Sequence, residues 1–275
     1  MPARRRGRNH LLVLLAVIPV ALHAQLPDSV RRERGREPFV TKRDLAAAGG
    51  VLAASALASL LDREIYRAFQ DTGVQESRHL RNGAELFNYL QETYLTLGGL
   101  AAYGVGRVTK QRALADVGFH VAEAVFVASL GSQAIRGPLG RARPTTNEGR
   151  DQYDFHPFQG FGEFKYRAFP SIHSASGFAA ASVIAREAAE RWPKQKGWIA
   201  PVAYALAATP GLSRMYLGQH WFSDVVMGAG IGLVAGQRVV TFNHRNPHNV
   251  VNRFFLGRGG SSEATTVKVG FERRF

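Results

Sequence analysis

The stretch SRMYLGQHWFSD (residues 213–224) lies between two apolar runs of helical length, residues 197–213 and 222–240. His220 and Asp224 are four residues apart, so they share one face if this stretch is helical. Asp224 would then accept the Nδ1 proton of His220 and leave Nε2 with a lone pair for nucleophilic attack. Arg214 lies six residues before His220, where it can reach the same anion. An ordinary i,i+4 helix pair is the alternative interpretation of this spacing.

Further apolar runs extend the helical pattern outward, at residues 45–61, 84–105, 113–135 and 173–192. Strand signals are nearly absent before residue 250, and the runs are rich in Ala and Gly, which let helices approach closely. The pattern therefore predicts an all-α bundle of about six helices. Residues 250–256 and 265–275 flank a Gly/Ser turn and predict a short C-terminal β-hairpin.

A second segment, FPSIHS (residues 169–174), begins the run that ends near residue 192. Ser171 is a suitable N-cap, and the free N–H groups of a helix N-terminus favour an anion. His173 would lie in the first turn, where it can hold a proton for a leaving group. A plain cap followed by a surface histidine is the alternative interpretation.

A third segment, RGPLGRARP (residues 136–144), places Arg136, Arg141 and Arg143 in a stretch broken by Gly and Pro. Guanidinium groups suit multidentate binding of phosphate oxygens, although a solvated basic loop explains this segment equally well on its own. Together the three segments supply arginines, a helix N-terminus, one histidine with an orienting carboxylate and a second histidine. That set is sufficient for phosphoryl transfer through a phosphohistidine, without a metal or other cofactor.

The three segments resemble the motifs of the type 2 phosphatidic acid phosphatase (PAP2) superfamily, which includes bacterial acid phosphatases and vanadium haloperoxidases. The family pattern is K-x6-R-P, P-S-G-H and S-R-x5-H-x3-D. This chain has Arg136 and Arg143 in the first motif, Ser171 and His173 in the second, and the complete third motif at residues 213–224. The resemblance covers about residues 45–240.

The resemblance implies a helical bundle, often embedded in a membrane, with the site at one end. It implies that His220 is the nucleophile, Asp224 its orienting carboxylate and His173 the general acid. The residues implied to hold phosphate are Arg136, Arg143, Ser171 and Arg214. Two departures from the pattern are Arg136 in place of Lys and Ile172 in place of Gly. We expect the isoleucine to disfavour positive φ and to crowd the approach of an anion.

Composition limits the remaining function classes. The 275-residue chain has 35 Lys and Arg against 21 Asp and Glu, a net charge of +14 and no cysteine. Disulfides, cysteine-ligated zinc and thiol catalysis are therefore excluded. A basic chain favours anionic partners, but its basic residues are not clustered on one helix face, so nucleic acid is not expected. His120 and the other histidines outside the motifs give little support for a metal site, and His120 is expected to be a core hydrogen-bonding group.

The predicted organisation has four parts. Residues 1–24 combine an arginine-rich start with a short apolar run, which predicts an export signal or an uncleaved anchor and hence a periplasmic or envelope location. Residues 25–43 are a polar linker, residues 44–240 the phosphatase domain and residues 241–275 a tail. Residues 145–169 form a long aromatic-rich connection that would cover a pocket, contact lipid or simply pack on the bundle.

These observations favour a membrane-associated phosphatase acting on phosphate monoesters or pyrophosphates, with a lipid phosphate as the preferred substrate class. Soluble phosphomonoesters remain an alternative substrate class. A vanadium-dependent haloperoxidase and a non-catalytic phosphate-binding envelope protein are the alternative functions.

Overall fold

A computed structural model describes residues 38–257. Six helices have 17 residues or more, in agreement with the predicted bundle of about six. They are α1 (Lys42–Ser59), α5 (Glu92–Val108), α6 (Arg112–Leu139), α7 (Ile172–Arg191), α8 (Lys196–Tyr216) and α9 (Phe222–Arg245). Four shorter helices complete the described chain: α2 (Asp62–Phe69), α3 (Thr72–Gln75), α4 (Arg78–Phe87) and α10 (Val250–Phe255). Within these residues, β pairing is limited to an isolated bridge between Arg141 and Phe155. The fold is all-α, as the sequence predicts.

The core lies where α6, α7 and α9 pack together, and it is built from alanine and valine more than from large side chains. Its fully buried members include Ala124, Val125, Ala179, Val183 and Val239. Small residues allow the close approach: a Cβ on Gly232 of α9 would lie 2.3 Å from the Ala175 carbonyl oxygen of α7. The Ala- and Gly-rich runs of the sequence therefore form a helix–helix interface.

The C-terminal tail differs from the predicted hairpin. Residues 250–255 form α10, which Asn249 caps by accepting a hydrogen bond from the backbone N–H of Asn252 at 2.8 Å. Phe255 stacks on Phe119 of α6, with ring centroids 5.1 Å apart. The hairpin prediction was wrong here because a local cap and a tertiary aromatic contact outweigh the β propensity of Val and Phe. The second predicted strand and the predicted signal segment lie outside the described residues.

The predicted linker ends inside the bundle. Its last two residues, Lys42 and Arg43, belong to α1, which begins with a capping box between Thr41 and Asp44. The carbonyl oxygens of Pro38 and Phe39 accept hydrogen bonds from Arg238 of α9. The first described residues are therefore attached to the core helices.

Two helices of the described chain, α6 and α9, are long and apolar enough to cross a membrane. A third candidate exists if α1 and α2, which meet at a bend of 61°, are counted as one broken span. Large apolar side chains are exposed on several helices, including Leu57, Leu97, Phe126, Leu130 and Leu206. Exposed apolar surface spread over neighbouring helices is typical of a surface that faces lipid.

Candidate functional site

One end of the bundle contains a polar cavity of about 220 Å³. The N-termini of α7 and α9 and the C-terminal parts of α6 and α8 meet there. The lining residues that carry the chemistry are Arg136, Arg143, Arg167, His173, Arg214 and His220. Glu92 is the one carboxylate among the lining residues that the structure describes, so the donor set favours an anion and offers no ligand cluster for a cation. The fold thus brings residues of all three sequence segments to one cavity.

His220 lies in the turn between α8 and α9, not on a helix. Gly218 makes this turn with φ of +63°, a conformation that other residues rarely adopt. Asp224 lies in the first turn of α9, so the two residues do not share a helix face. The two still meet: His220 Nδ1 is 3.5 Å from Asp224 Oδ2, longer than a hydrogen bond. The imidazole is 2 % exposed.

Asp224 is held by a buried network that the sequence analysis did not identify. Its Oδ2 accepts the Trp221 backbone N–H at 2.7 Å, and its Oδ1 accepts a hydrogen bond from Arg141 at 2.6 Å. Arg141 also donates to Asp62 at 2.8 Å, and Ser223 donates its hydroxyl to Asp62 at 2.6 Å. Arg141 therefore fixes the carboxylate behind His220 and does not line the cavity. No signal in the sequence linked Asp62, which is 162 residues away, to this network.

The lining arginines are held by hydrogen bonds to other parts of the protein. Arg136 donates to the Pro170 carbonyl at 3.0 Å, Arg214 donates to Asn88 at 2.8 Å, and Arg143 donates to Phe164 O at 3.0 Å. Gln219 accepts hydrogen bonds from both Arg143 and Arg214. Fixed guanidinium groups form a preorganised anion site, since little side-chain freedom is lost when the anion binds.

Arg167 is a lining residue that sequence reasoning missed. It lies near the end of the predicted aromatic connection and donates to Gln133 at 3.2 Å. It lies four residues before Ser171, so its position next to the second segment was the available signal. Its guanidinium adds a fourth positive charge to the cavity.

Ser171 and Ile172 occupy positions that differ from the expectations. Ser171 is fully buried, does not line the cavity and caps α7 by accepting a hydrogen bond from the Ser174 backbone N–H. Ile172 is the first residue of α7 and is not among the described residues with positive φ, so the expected backbone conflict is absent. It does line the cavity, where its side chain narrows the space for an anion.

Both histidines of the cavity are held neutral. Burial and the nearby Arg214 lower the pKa of His173 to about 2. Burial, followed by Arg143 and Arg214, holds the pKa of His220 well below its usual range. A neutral imidazole has a lone pair available for attack at neutral pH. A bound phosphate dianion would offset the arginine charges and raise both pKa values.

Part of the aromatic connection lines the cavity. Phe164 lines the cavity, and the guanidinium of Arg143 lies 3.7 Å from its ring centroid. Phe155, Phe158 and Phe161 remain exposed, Phe158 by 70 %. Phe161 also contacts the bundle at Gly137 of α6. The connection therefore forms part of the cavity wall and also presents an exposed aromatic surface beside it.

Comparison with known proteins agrees with this architecture. Residues 117–247 match the family model described as the PAP2 superfamily. A lipid A 1-phosphatase of Porphyromonas gingivalis is 30% identical over 109 residues, which is 40% of this chain and 23% of that protein. A lipid A 1-phosphatase of Rhizobium etli is 28% identical over 142 residues, 49% of this chain and 55% of that protein. The chain thus spans about a quarter to half of the length of these curated relatives.

The fold has a counterpart among solved structures. The crystal structure of a transmembrane PAP2-type phosphatidylglycerolphosphate phosphatase from Bacillus subtilis superposes with a TM-score of 0.56 and 22% identity. The match covers 74% of this chain and 98% of that one. The matched family region includes all three sequence segments and most of the cavity. By its motifs and this match, the region 117–247 is similar to the PAP2 superfamily, and the chain shares its helical fold with the Bacillus subtilis phosphatase.

Proposed function

We propose that this protein is a lipid phosphate phosphatase that works through a phosphohistidine on His220. The observation that carries the proposal is the convergence of two neutral histidines and four guanidinium groups on one cavity. Such a cavity binds a tetrahedral oxyanion and supplies both a nucleophile and a proton donor. The proposed roles follow the family motifs: nucleophile for His220, orienting carboxylate for Asp224, general acid for His173, and phosphate binding for Arg136, Arg143 and Arg214.

The first proposed step is attack of His220 Nε2 on phosphorus. Asp224, fixed by Arg141, orients the imidazole and stabilises the positive charge that develops on it. The arginines balance charge on the equatorial oxygens, so no metal is required in this scheme. His173, protonated once phosphate binds, gives its proton to the leaving oxygen as the phosphorus–oxygen bond breaks.

The second proposed step is hydrolysis. Water attacks the phosphohistidine while His173, now neutral, takes a proton from the water. The phosphorus–nitrogen bond breaks, inorganic phosphate forms and the His220 lone pair is restored. Ser171 has a supporting role in this scheme, because its cap sets the position of His173 two residues later.

Three observations support a lipid substrate. The cavity opens beside exposed phenylalanines, the described chain has two helices that are long and apolar enough to span a membrane, and the curated relatives are named lipid A 1-phosphatases. Aromatic side chains next to a basic site suit an amphiphilic anion at a membrane surface. We propose envelope membrane association with the cavity on the exported side, in line with the predicted export signal.

A phosphate-release panel tests this function. The purified protein is assayed in mixed micelles with a glycolipid phosphate, phosphatidic acid, phosphatidylglycerophosphate, an isoprenyl diphosphate and the soluble ester p-nitrophenyl phosphate, each with and without EDTA. We expect EDTA-resistant release, with the highest kcat/KM on one of the lipids.

The matched variants are His220→Ala and His79→Ala, since His79 lies on α4 outside the cavity. Release should disappear in the first and persist in the second. Equal release by both variants would exclude the histidine mechanism. Preference for the soluble ester would limit the proposal to a general phosphomonoesterase, and vanadate-dependent halide oxidation would indicate the haloperoxidase alternative.

A further inference from the structure

A second cluster of ionisable side chains lies at the opposite end of α6, α7 and α9. His120, Glu187 and His244 come together there, and one ligand atom from each lies within 4.8 Å of the others. Glu187 is 14 residues after His173 on α7, which is about 21 Å along the helix. The cluster is therefore separate from the phosphate cavity, and the proposed function does not use it.

The donor atoms converge on one oxygen. His120 Nδ1 lies 2.7 Å from Glu187 Oε1, and His244 Nε2 lies 3.0 Å from the same oxygen. In a tetrahedral zinc site with bonds of 2.0–2.1 Å, neighbouring ligand atoms are about 3.4 Å apart. An outward shift of a few tenths of an ångström, within the reach of side-chain rotation, would bring these atoms to that separation.

The surroundings orient His244 and Glu187 as the outer contacts of a metal site do. His244 directs its other nitrogen, Nδ1, to Glu190 at 2.8 Å. Glu187 Oε2 accepts from Arg191 at 2.6 Å, and Arg191 also donates to Asp116 at 2.9 Å. A carboxylate behind a ligating imidazole fixes its tautomer and its direction. His120 is fully buried and its Nε2 has no hydrogen-bond partner, so its polar contact is to Glu187.

Charge at this end also favours a cation. Glu187 and Glu190 lie in the last turn of α7, where the helix dipole disfavours acidic side chains. The contact network holds three carboxylates, Asp116, Glu187 and Glu190, against two guanidinium groups, Arg186 and Arg191. The side chain of His244 is 23% exposed, which gives an ion and a water ligand a route of entry.

We propose that His120, Glu187 and His244 bind one Zn²⁺ ion, or a similar borderline divalent ion, with water as a further ligand. Two imidazoles and one carboxylate are a common zinc ligand set, and the absence of cysteine leaves no thiolate in the chain to compete for the ion. Because the three ligands come from α6, α7 and α9, the ion joins the core helices at the end remote from the phosphate cavity. Its role is structural.

The experiment uses the full chain, purified in detergent with a tag that contains no histidine. A chelator first removes any bound metal, and the protein is then titrated with ZnCl₂. After gel filtration, elemental analysis should find about one zinc per chain. Zinc should raise the apparent unfolding temperature by about 3 °C or more, whereas Mg²⁺ should not. Co²⁺ bound in place of Zn²⁺ should give visible d–d absorption bands, as expected for a ligand field of low symmetry.

Two ligand variants, His244→Ala and Glu187→Gln, should lose the bound zinc and the thermal shift, while His79→Ala retains both. His244→Ala is the decisive variant, since this residue is partly exposed and its replacement leaves the core intact. The proposal is overturned if the wild type holds no more zinc than His244→Ala. In that case Glu187 and the two histidines form a hydrogen-bonded network that shares protons and binds no metal. Phosphate release should be the same with and without zinc, so either proposal can fail without the other.

Discussion

The two ends of the α6–α7–α9 bundle carry opposite chemistry on the same three helices. At one end Arg136 and His173 line a cavity for an anion, and at the other end Glu187 and His244 gather around a position for a cation. Both α7 and α9 point their N-termini to the first end and their C-termini to the second. Their dipoles favour negative charge at the first end and positive charge at the second.

This difference shows how a plain Ala- and Gly-rich bundle is specialised at its ends. The middle of each helix contributes packing, since its buried residues are small and apolar. Most of the ionisable residues that form the two clusters lie toward the helix ends, where free backbone groups and neighbouring loops can hold them; His120 lies further inside α6. If the two ends act independently, a substitution at one end should leave the properties of the other end unchanged.

The largest expected effect is on stability at the anion end. Arg141→Met leaves Asp62 and Asp224 buried without their shared guanidinium. Losing one partner of a buried ion network typically costs about 3–5 kcal/mol. We expect a loss of this size in the free energy of unfolding, measured by denaturant titration in detergent. Arg186→Met, at the cation end, should cost about 1 kcal/mol or less because its contact to Glu190 is partly exposed.

The next effect is on catalysis. Arg214→Ala removes a fixed guanidinium from the cavity and should lower kcat/KM by about 10²–10³-fold, as expected for one donor to a developing anion. Arg191→Ala removes an arginine from the other end and should leave kcat/KM unchanged. Comparable losses in the two variants would show that the ends are coupled.

A smaller effect is the loss of folding stability at acidic pH. The pKa of His173 is lowered to about 2 and that of His220 is also low, whereas both are about 6.5 in the unfolded chain. Below pH 6.5 the unfolded chain therefore binds protons that the folded chain does not, and stability falls as pH falls. Each histidine contributes up to about 1.4 kcal/mol per pH unit.

Unfolding titrations between pH 4 and pH 7 measure this slope. His173→Gln should flatten it, and saturating phosphate should do the same in the wild type because the anion stabilises the imidazolium. An identical slope in the wild type and the variant would contradict the assignment of a neutral His173.

The smallest effect concerns lipid contact. Phe158→Ser removes an exposed ring of the aromatic connection and should raise KM for a micellar lipid phosphate by about fivefold, with no change for p-nitrophenyl phosphate. Phe254→Ser, which alters an exposed ring on α10, should change neither value. If Phe158→Ser changed both substrates equally, the loop would act on the cavity wall instead of on lipid.

Much of the anion end could be predicted from the sequence because its residues occur in short motifs with fixed spacing. The motifs predict Arg143, His173, Arg214 and His220 as site residues, and all four line one cavity. Their chemical roles stay predictions. The all-α class followed in the same way from apolar runs interrupted by Gly, Pro and charged residues.

The remaining features depend on tertiary contacts that no local pattern encodes. Asp62 meets Arg141 across 79 residues, and His120 meets Glu187 across 67. His120 and His244 have no motif partner in the sequence, so a metal site had little support there and His120 was expected to be a core hydrogen-bonding group. The helix α10 forms where a Gly/Ser turn suggested a hairpin. Its cap, Asn249, and its packing partner, Phe119, both lie outside the segment from which the hairpin was predicted.

The most direct test of the central claim is capture of the covalent intermediate. His173→Ala is mixed with p-nitrophenyl phosphate, whose leaving group needs no proton, and the reaction is quenched in alkali, where phosphohistidine persists. Because the base for the second step is missing, phosphate should accumulate on His220 and be located there by peptide mass spectrometry. Phosphate found on another residue, or steady turnover that survives His220→Ala, would contradict the account.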